Sequence, residues 1–382
     1  MTIPRLLSKE LEESPKSLLL LGPRQTGKST LIRSLRPDLA INLADEAEFL
    51  SFARNPNELT QRLAAGSYRT VLIDEVQRLP GILNTIQCIL DEAPSRYKFY
   101  LTGSSARKLR RGNANLLPGR IFSYRLGPLV CSELNYRMCL REALETGTLP
   151  GIYSEENRKF RIKTLRSYSS TYLKEEIQSE ALTKNIEGFS RFLFLAANWS
   201  GHFLDVAKLS SAAQVTRKAA NRFFEILEDT LVVNRCPSFS KVERKRLVKH
   251  PKFYFFDTGV LNALLSNFTV SSDRTGLIFE HLIFNQLVNG GYARDIDMNL
   301  STFRTSHGAE VDFIVEKENE LFAVEVKHSR NIGRSDLKGL QRFSKAYAKP
   351  HRQLLLYAGS QTKAIDGVAI YPWQMGLKAM GL

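Results

Sequence analysis

The chain has 382 residues, of which 43% are hydrophobic and 24% are charged. Both fractions are ordinary for globular proteins and exclude a disordered or fibrous chain, and the length predicts two or three domains. Lysine and arginine outnumber aspartate and glutamate by 54 to 39, which gives a formal net charge of +15. This charge favours a polyanionic partner, which we expect to be DNA, over a basic surface that binds nothing.

The sequence also predicts a reduced, cytoplasmic protein without membrane contact. Its longest strongly apolar run, Leu18 to Leu21, is far shorter than the ~20 residues that cross a bilayer. The N-terminal stretch carries acidic side chains and no continuous apolar segment, unlike a secretory signal. The cysteines show neither zinc-binding spacing nor a small disulfide framework; they are Cys88, Cys131, Cys139 and Cys236.

A phosphate-binding loop is predicted near the N-terminus. The run from Leu18 to Leu21 resembles a buried parallel strand, and it is followed by GPRQTGKST and then by apolar residues at helical spacing. In this strand–GxxxxGK[ST]–helix context, backbone N–H groups point at phosphates. We expect Lys28 to reach the β- and γ-phosphates of ATP and Ser29 to ligate Mg²⁺. The predicted nucleotide contacts are Gly22, Pro23, Arg24, Gln25, Thr26, Gly27, Lys28, Ser29 and Thr30.

A second predicted strand, Thr70 to Ile73, ends in two carboxylates, Asp74 and Glu75. The carboxyl ends of parallel strands are where such sheets bind ligands. We expect Asp74 to hold Mg²⁺ through water and Glu75 to polarise the attacking water as a general base.

A third predicted strand, Phe99 to Leu101, ends in polar residues that could sense the γ-phosphate, and Thr102 and Ser104 are the candidates. Several arginines follow, and any of them could act in trans as an arginine finger in an oligomer. A solvated basic loop is the alternative. These arginines are Arg107, Arg110, Arg111 and Arg120, and Arg120 is the candidate that we retain.

The middle of the chain is predicted to be helical. One stretch predicts a helix, a serine-rich turn, a second helix and an apolar strand from Leu231 to Val233, which is the order of a winged helix-turn-helix. Its sequence is LDVAKLSSAAQVTRKAANRFFEILEDTLVVNRC. Its second helix presents Arg217, Lys218 and Arg222 outward, so it could lie on DNA, or the domain could pack between ATPase subunits. The basic run KVERKRLVKH is either a solvated wing or a phosphate contact.

Two features near the C-terminus indicate a metal site. Glu280 interrupts a strongly apolar predicted helix, where a carboxylate is costly unless it is paired, hydrogen-bonded or bound to metal. GAEVDFIVEKENELFAVEVKH predicts a hairpin with a four-residue turn at residues 317–320, which places Asp312 opposite Glu325. Alternation places these carboxylates and Lys327 on one face. Asp312 and Glu325 could hold Mg²⁺, and Lys327 could orient water or stabilise charge on a phosphate.

The same hairpin pattern predicts an apolar opposite face. That face consists of Val311, Phe313, Val315, Phe322, Val324 and Val326. An ordinary two-stranded ribbon would show the same alternation, and the E-x-K triplet by itself also occurs at Glu243 and Lys245. The triplet formed by Glu325 and Lys327 differs in having Asp312 on the partner strand.

Seven motifs along the chain resemble those of prokaryotic AAA-type ATPases of the archaeal ATPase-like branch, which carry a C-terminal domain of PD-(D/E)xK nuclease-like fold. They are LGPRQTGKSTLI, TVLIDEVQRLP, YLTGSSARKL, LPGRIFSYRLGPL, YFFDTGVLNALL, GLIFEHLIFNQL and GAEVDFIVEKENELFAVEVKHS. The resemblance implies an α/β protein with an AAA+-like P-loop parallel sheet in residues 1–130. It implies a winged-helix region in residues 131–250 and a restriction-endonuclease-like domain in residues 251–382.

The resemblance also implies a set of nuclease-site residues. It aligns Glu280, Asp312, Glu325 and Lys327 with the nuclease signature, and Gln341 with a polar helix position that often completes it. Val311 stands where the family often has proline or glycine before the aspartate. The resulting hypothesis is an oligomeric ATPase, in a ring or partial ring, that binds DNA and cleaves it. The alternatives are an ATP-gated DNA-binding scaffold that does not cut, and a regulator that recognises a protein.

Overall fold

The computed structural model describes residues 3–104, 117–172, 185–241 and 250–382. The N-terminal part contains a five-stranded sheet in the order β2-β3-β4-β1-β5, in which every pair is parallel. All residues of β1 are buried, as the continuous apolar run requires of a strand covered on both faces. The strands are β1 (Ser17–Leu21), β2 (Leu39–Asn42), β3 (Thr70–Asp74), β4 (Lys98–Gly103) and β5 (Ile121–Arg125).

Apolar cores lie on both faces of this sheet. Ile73 and Leu101 belong to one core, whereas Leu72 and Tyr100 belong to the other. The helices described around the sheet are α1 (Leu7–Glu13), α2 (Lys28–Ser34), α3 (Glu46–Arg54), α4 (Glu58–Ala64) and α5 (Ile82–Glu92), with a 3₁₀ turn at Val76–Arg78. Because β4 lies between β3 and β1, the loops after these three strands meet at one edge.

The middle part packs its helices around a core rich in phenylalanine, which includes Phe192 and Phe223. Its helices are α6 (Leu140–Thr146), α7 (Pro150–Tyr153), α8 (Arg158–Ser167), α9 (Ile186–Trp199), α10 (Val206–Ala212) and α11 (Arg217–Asp229), with a 3₁₀ turn at Cys131–Leu134 and a π-helical turn at Tyr168–Tyr172. An antiparallel ribbon follows, formed by β6 (Val233–Cys236) and β7 (Lys252–Phe255).

The elements of the predicted winged helix therefore follow in the expected order, although its assignment as a winged helix stays a prediction. The predicted strand from Leu231 to Val233 is wrong in its bounds. Leu231 has a φ of 60°, a left-handed backbone that ends the preceding helical segment, and the strand begins at Val233. Most of the basic run at residues 241–250 lies outside the described residues.

The C-terminal part contains a six-stranded mixed sheet in the order β12-β13-β11-β10-β9-β8. One apolar core lies between this sheet and the long helix α13, and a second core lies under α14. The elements are α12 (Thr258–Leu264), α13 (Ser272–Ala293), β8 (Met298–Arg304), β9 (Glu310–Lys317), β10 (Glu320–Lys327), a 3₁₀ turn (Arg334–Leu337), α14 (Lys338–Ala346), β11 (Arg352–Tyr357), β12 (Lys363–Ile365), β13 (Val368–Pro372) and α15 (Trp373–Ala379).

The hairpin of β9 and β10 has the predicted register but a shorter turn. Lys317 pairs with Glu320, so the turn contains two residues where four were predicted, and Glu316 pairs with Leu321 as expected. The face predicted for Val311 is wrong. A bulge shifts the pairing with β8 between Ser301 and Phe303, and it rotates Val311 into the core under α14.

The C-terminal helix α13 also contacts the N-terminal sheet directly. The Gln286 side chain accepts a hydrogen bond from the N–H of Cys131 at 2.7 Å and donates one to the carbonyl of Leu129 at 3.1 Å. Asn289 fills the space beside Gly127, where a Cβ would lie 1.9 Å from its oxygen. Among the helices that the structure describes, none has the length and apolar character needed to cross a membrane.

Candidate functional site

The P-loop is shaped by two glycines at its ends. A Cβ on Gly22 would lie 2.1 Å from the carbonyl oxygen of Leu126, so a side chain cannot be accommodated there. Gly27, the residue just before α2, has a φ of 88°, a backbone conformation that favours glycine. The buried Lys28 ammonium donates to the carbonyls of Gly22 and Pro23 at 2.8 and 3.0 Å. The lysine therefore lies over the loop that the sequence assigns to phosphates.

The other predicted loop residues differ in exposure. Arg24, Gln25 and Thr30 are exposed, whereas Thr26 is buried and donates to the carbonyl of Pro23 at 2.8 Å. A cavity of about 480 Å³ opens beside the start of α2. It is lined by Ile3, Pro4, Thr26, Gly27, Leu31 and Pro150, among others. A largely apolar pocket of this size next to a phosphate loop suits an adenosine group.

Arg5 supports the loop from the N-terminal segment, and sequence reasoning missed it. Its guanidinium donates to the carbonyl of Thr26 at 2.7 Å, to that of Gly127 at 2.9 Å and to Glu133 at 2.8 Å. The side chains of Arg5 and Glu133 are 7% and 0% exposed. Glu133 lies 128 residues away from Arg5 in the sequence. The sequence shows an arginine near the N-terminus, but no motif that would link it to Glu133.

The predicted acid pair meets the P-loop at the sheet edge. The Ser29 hydroxyl donates to Asp74 Oδ1 at 2.9 Å, and the buried Thr102 hydroxyl donates to the same oxygen. The N–H of Glu75 donates to the Thr102 hydroxyl at 3.2 Å. Glu75 has a φ of 61°, a left-handed conformation that is uncommon for glutamate and that is concentrated at functional sites.

The residues brought together by α2 and β3 supply oxygen ligands of the kind that Mg²⁺ prefers. The Ser29 hydroxyl and the Asp74 carboxylate already converge, so this set fits the ion. Gln77 adds a contact that sequence reasoning missed: its amide donates to Ser104 at 3.0 Å and also to Glu75. Its position two residues after Glu75 was the only available signal.

Arg120 is paired within its own chain. Its guanidinium makes a bidentate contact with Asp91 of α5, at 2.5 and 2.9 Å. A role in trans would require this exposed pair to open, and the arginine finger stays a prediction. Arg107, Arg110 and Arg111 lie outside the described residues.

A second cluster of carboxylates forms at the bulge in β9. The N–H of Val326 donates to Asp312 Oδ2 at 2.8 Å, and the Lys327 ammonium donates to Glu325 Oε1 at 2.5 Å. Among the described residues, Glu325 Oε2 is buried and has no hydrogen-bond partner. Burial, with the neighbouring Glu325, raises the pKa of Asp312 well above its usual range, and burial also raises the pKa of Glu325.

Glu280 joins this cluster from α13, and a lysine that sequence reasoning missed lies beside it. Glu280 Oε1 accepts from the Tyr254 hydroxyl at 2.6 Å and from the Lys252 ammonium at 3.0 Å. Lys252 also pairs with Glu310 at 2.8 Å. Burial by itself lowers the pKa of Lys252, but Glu280, Asp312 and Glu310 outweigh it and raise that pKa. A lysine in an apolar strand was the sequence signal.

The donor set at the bulge is built from two carboxylates. The carboxylates of Asp312 and Glu325 are buried, and Glu325 Oε2 has no hydrogen-bond partner among the described residues, so the pair fits a hard divalent cation. Across the described ranges, no group of three or more His, Cys, Asp or Glu side chains is arranged to hold a metal. Backbone carbonyls and waters would therefore complete the shell. Gln341 is exposed on α14, and the structure does not bring it into hydrogen-bonding contact with the carboxylates.

Three protein-family models match successive segments of the chain. Residues 14–135 match the AAA domain family. Residues 138–271 and 275–375 match two domains of unknown function, DUF8612 and DUF4143. The first match, with the P-loop geometry, defines an AAA-type P-loop ATPase domain, and it confirms the predicted ATP-binding module. The other two matches carry no activity, so the nuclease-like assignment stays a prediction.

Two mycobacterial proteins resemble this chain over most of its length. The chain is 28% identical over 365 residues to the uncharacterized proteins Rv2008c of Mycobacterium tuberculosis and Mb2031c of Mycobacterium bovis, covering 91% of this chain and 79% of each relative. Similar solved structures include the STAND protein PH0952 from Pyrococcus horikoshii, which has a tetratricopeptide repeat sensor. It is 13% identical with a TM-score of 0.24, covering 74% of this chain and 44% of that one.

The replication initiator DnaA, solved with AMPPCP and single-stranded DNA, is another similar structure. It is 12% identical with a TM-score of 0.27, covering 58% of this chain and 85% of that chain. This chain spans less than half of the STAND protein. TM-scores at this level do not establish a common overall fold.

Proposed function

We propose that this protein hydrolyses ATP at its AAA domain, binds DNA, and carries an Mg²⁺-dependent nuclease site in its C-terminal domain. The observation that carries the nuclease part is the meeting of Asp312, Glu325 and Lys327 at one bulge, with Glu280 beside them. The observation that supports the ATPase part is the contact of Ser29 with Asp74 at the edge of the P-loop sheet.

At the AAA domain, each side chain has a distinct role. Lys28 neutralises the β- and γ-phosphates, and the apolar cavity beside α2 receives adenosine. Ser29 and Asp74 would hold Mg²⁺, which when bound neutralises phosphate charge. Glu75 accepts a proton from the water that attacks the γ-phosphorus, so that the bond to the ADP oxygen breaks. Gln77 and Thr102 hold Glu75 and its backbone in place.

At the C-terminal site, Asp312 and Glu325 would hold Mg²⁺ with the carbonyl of Val326 and water. The ion supplies Lewis-acid chemistry at a scissile phosphodiester when it is bound. Burial by itself lowers the pKa of Lys327, but Glu325 and Asp312 outweigh it and raise that pKa, so the ammonium is cationic at neutral pH. Lys327 therefore stabilises negative charge on the phosphate and orients the nucleophilic water.

DNA binding is supported by charge and by the exposed face of α11. Arg217, Lys218 and Arg222 are exposed on that helix, while Phe223 and Leu227 are buried against the middle core. A helix with one basic face and one apolar face could lie in a groove and contact phosphates. The +15 charge predicts binding that weakens steeply as salt rises. A homo-oligomer, in a ring or partial ring, would place Arg120 or another arginine at a neighbouring nucleotide.

The test is a parallel ATPase and nuclease assay on the full chain. Linear, supercoiled and branched DNA are incubated with Mg²⁺ or Mn²⁺, with and without ATP. Lys28→Ala is expected to abolish ATP binding, and Asp312→Asn is expected to abolish cleavage while leaving ATP turnover intact. Glu318→Gln, at the exposed turn of the same hairpin, is the matched control and should cleave like the wild type.

A non-cleaving, ATP-gated scaffold is the second candidate. The contact of Lys252 with Glu280 favours it, because that carboxylate is already neutralised by a cation of the chain. In that case DNA binding responds to nucleotide and survives Glu325→Ala with Lys327→Ala. If the wild type does not cleave DNA, or if Asp312→Asn cleaves as well as the wild type, the nuclease function is rejected and the scaffold function remains. A protein partner is indicated if binding to the C-terminal domain persists after nuclease treatment.

A further inference from the structure

The ammonium of Lys252 is buried within the acidic cluster at the edge of the C-terminal sheet. Its side chain is 5% exposed and comes from the ribbon strand β7, outside that sheet. Its Nζ lies 3.0 Å from Glu280 Oε1, 2.8 Å from Glu310 Oε1 and 5.2 Å from the ring centre of Phe203. A buried ammonium is tolerated only where such partners compensate the loss of water.

Through these contacts, two carboxylates of the cluster, Glu280 and Glu310, are neutralised by Lys252. Glu280 Oε1 accepts from both Lys252 and the Tyr254 hydroxyl. Glu310 pairs with Lys252, and its other oxygen lies 3.7 Å from Arg304. Both carboxylates therefore have cations of the chain itself as partners.

The other two carboxylates retain acceptor capacity. Asp312 uses Oδ2 to accept the N–H of Val326, and Glu325 uses Oε1 to accept from Lys327. Glu325 Oε2 is buried and, within the described residues, has no partner. Gly339 of α14 adjoins that oxygen, since a Cβ there would lie 3.5 Å from it. Glu280 and Glu310 thus share the resident cation Lys252, whereas Asp312 and Glu325, although Glu325 also accepts from Lys327, are the carboxylates that could ligate an added cation.

We propose that Lys252 takes the place of a second metal ion, so that Asp312 and Glu325 bind a single divalent cation. This inference rests on the proposed metal-dependent function. Glu280 is then a positioning residue, because it acts through Lys252 and Tyr254. The middle segment contributes Lys252, so the site is complete only when the ribbon packs on the C-terminal sheet. The ligand is one hard divalent ion, and the substrate is a phosphodiester.

The test counts Mn²⁺ ions bound to the nucleotide-free full chain, by titration calorimetry and by paramagnetic resonance. The count is made in a background of Ser29→Ala with Asp74→Asn, which excludes any ion at the P-loop. The wild type at position 252 is expected to bind one ion, and Lys252→Arg, which keeps the cation, is expected to do the same. Lys252→Met is expected to bind a second ion, or to bind the first at least about tenfold tighter, because a nearby positive charge is gone.

The outcomes distinguish failure of the role of Lys252 from failure of the metal-dependent function. The role of Lys252 is overturned if Lys252→Met binds the same number of Mn²⁺ ions as the wild type with the same affinity, or if the wild type binds two. Either result leaves the metal site itself intact. If Asp312→Asn removes no ion from the wild type, the metal-dependent function fails and the inference fails with it. Should Lys252→Met be unfolded without metal, Mn²⁺ is expected to refold it, and failure of Mn²⁺ to do so also overturns the inference.

Discussion

Replacement of Arg5 by methionine tests whether the N-terminal segment holds the P-loop in shape. The substitution keeps much of the apolar stem but leaves Glu133 buried without its cation, a change that typically costs about 3–5 kcal/mol. The N–H groups of Leu6 and Val130 still donate to Glu133, at 3.1 and 3.2 Å, so we expect the lower end, about 3 kcal/mol. Thr26 also loses a charge-assisted bond of about 1.5–3 kcal/mol. ATP binding should therefore weaken at least about tenfold.

The assay combines denaturant unfolding with fluorescent ATP-analogue binding, and a double variant provides the control. Arg5→Met with Glu133→Gln removes both charges, so no unpaired carboxylate stays buried. It should recover about 2 kcal/mol of the stability lost by Arg5→Met alone, while the defect in ATP binding persists because Thr26 is still without its donor. Equal losses of stability in the single and double variants, or normal ATP binding by Arg5→Met, would refute the reasoning.

Three further perturbations address the nucleotide site and a buried carboxylate. Gly22→Ala should abolish ATP binding because its Cβ would meet the Leu126 carbonyl at 2.1 Å, whereas Gly81→Ala, which meets nothing within 4 Å, should bind normally. Glu75→Gln should bind ATP but turn it over at least about 100-fold more slowly; normal turnover would remove its assigned role. Burial raises the pKa of Asp257 to about 6 from 3.8, so the native state holds this proton more tightly and stability falls as pH rises from about 4 to 6. Unfolding experiments across that range should show that Asp257→Asn removes about 3 kcal/mol of this dependence, and an unchanged pH profile would contradict the pKa.

The sequence predicted best where function depends on neighbours along the chain. The P-loop, the strand before it and the acid pair at 74 and 75 all follow from local patterns, since glycine spacing and strand ends fix their positions. The hairpin register was also predictable, because period-two alternation determines which residues face each other. The bulge that rotates Val311 was not, since it arises from pairing with β8, a separate strand.

Residues that support the two sites were missed for a related reason. Arg5 and Glu133 are separated by 128 positions, and Lys252 and Glu280 belong to elements that only the folded chain brings together. Neither pair has a characteristic spacing, so no local pattern reveals it. Burial of a charged residue is the physical signal, and burial depends on tertiary packing.

The helix α13 extends from the acidic cluster to the segment that follows β5. Glu280 lies in the acidic cluster, and Gln286, about 9 Å further along the helix axis, is bonded to the segment after β5. That segment includes Gly127, whose carbonyl is held by the same arginine that holds Thr26 in the P-loop. Arg5, the segment after β5 and Gln286 therefore form a continuous set of contacts from the P-loop to the helix that carries Glu280.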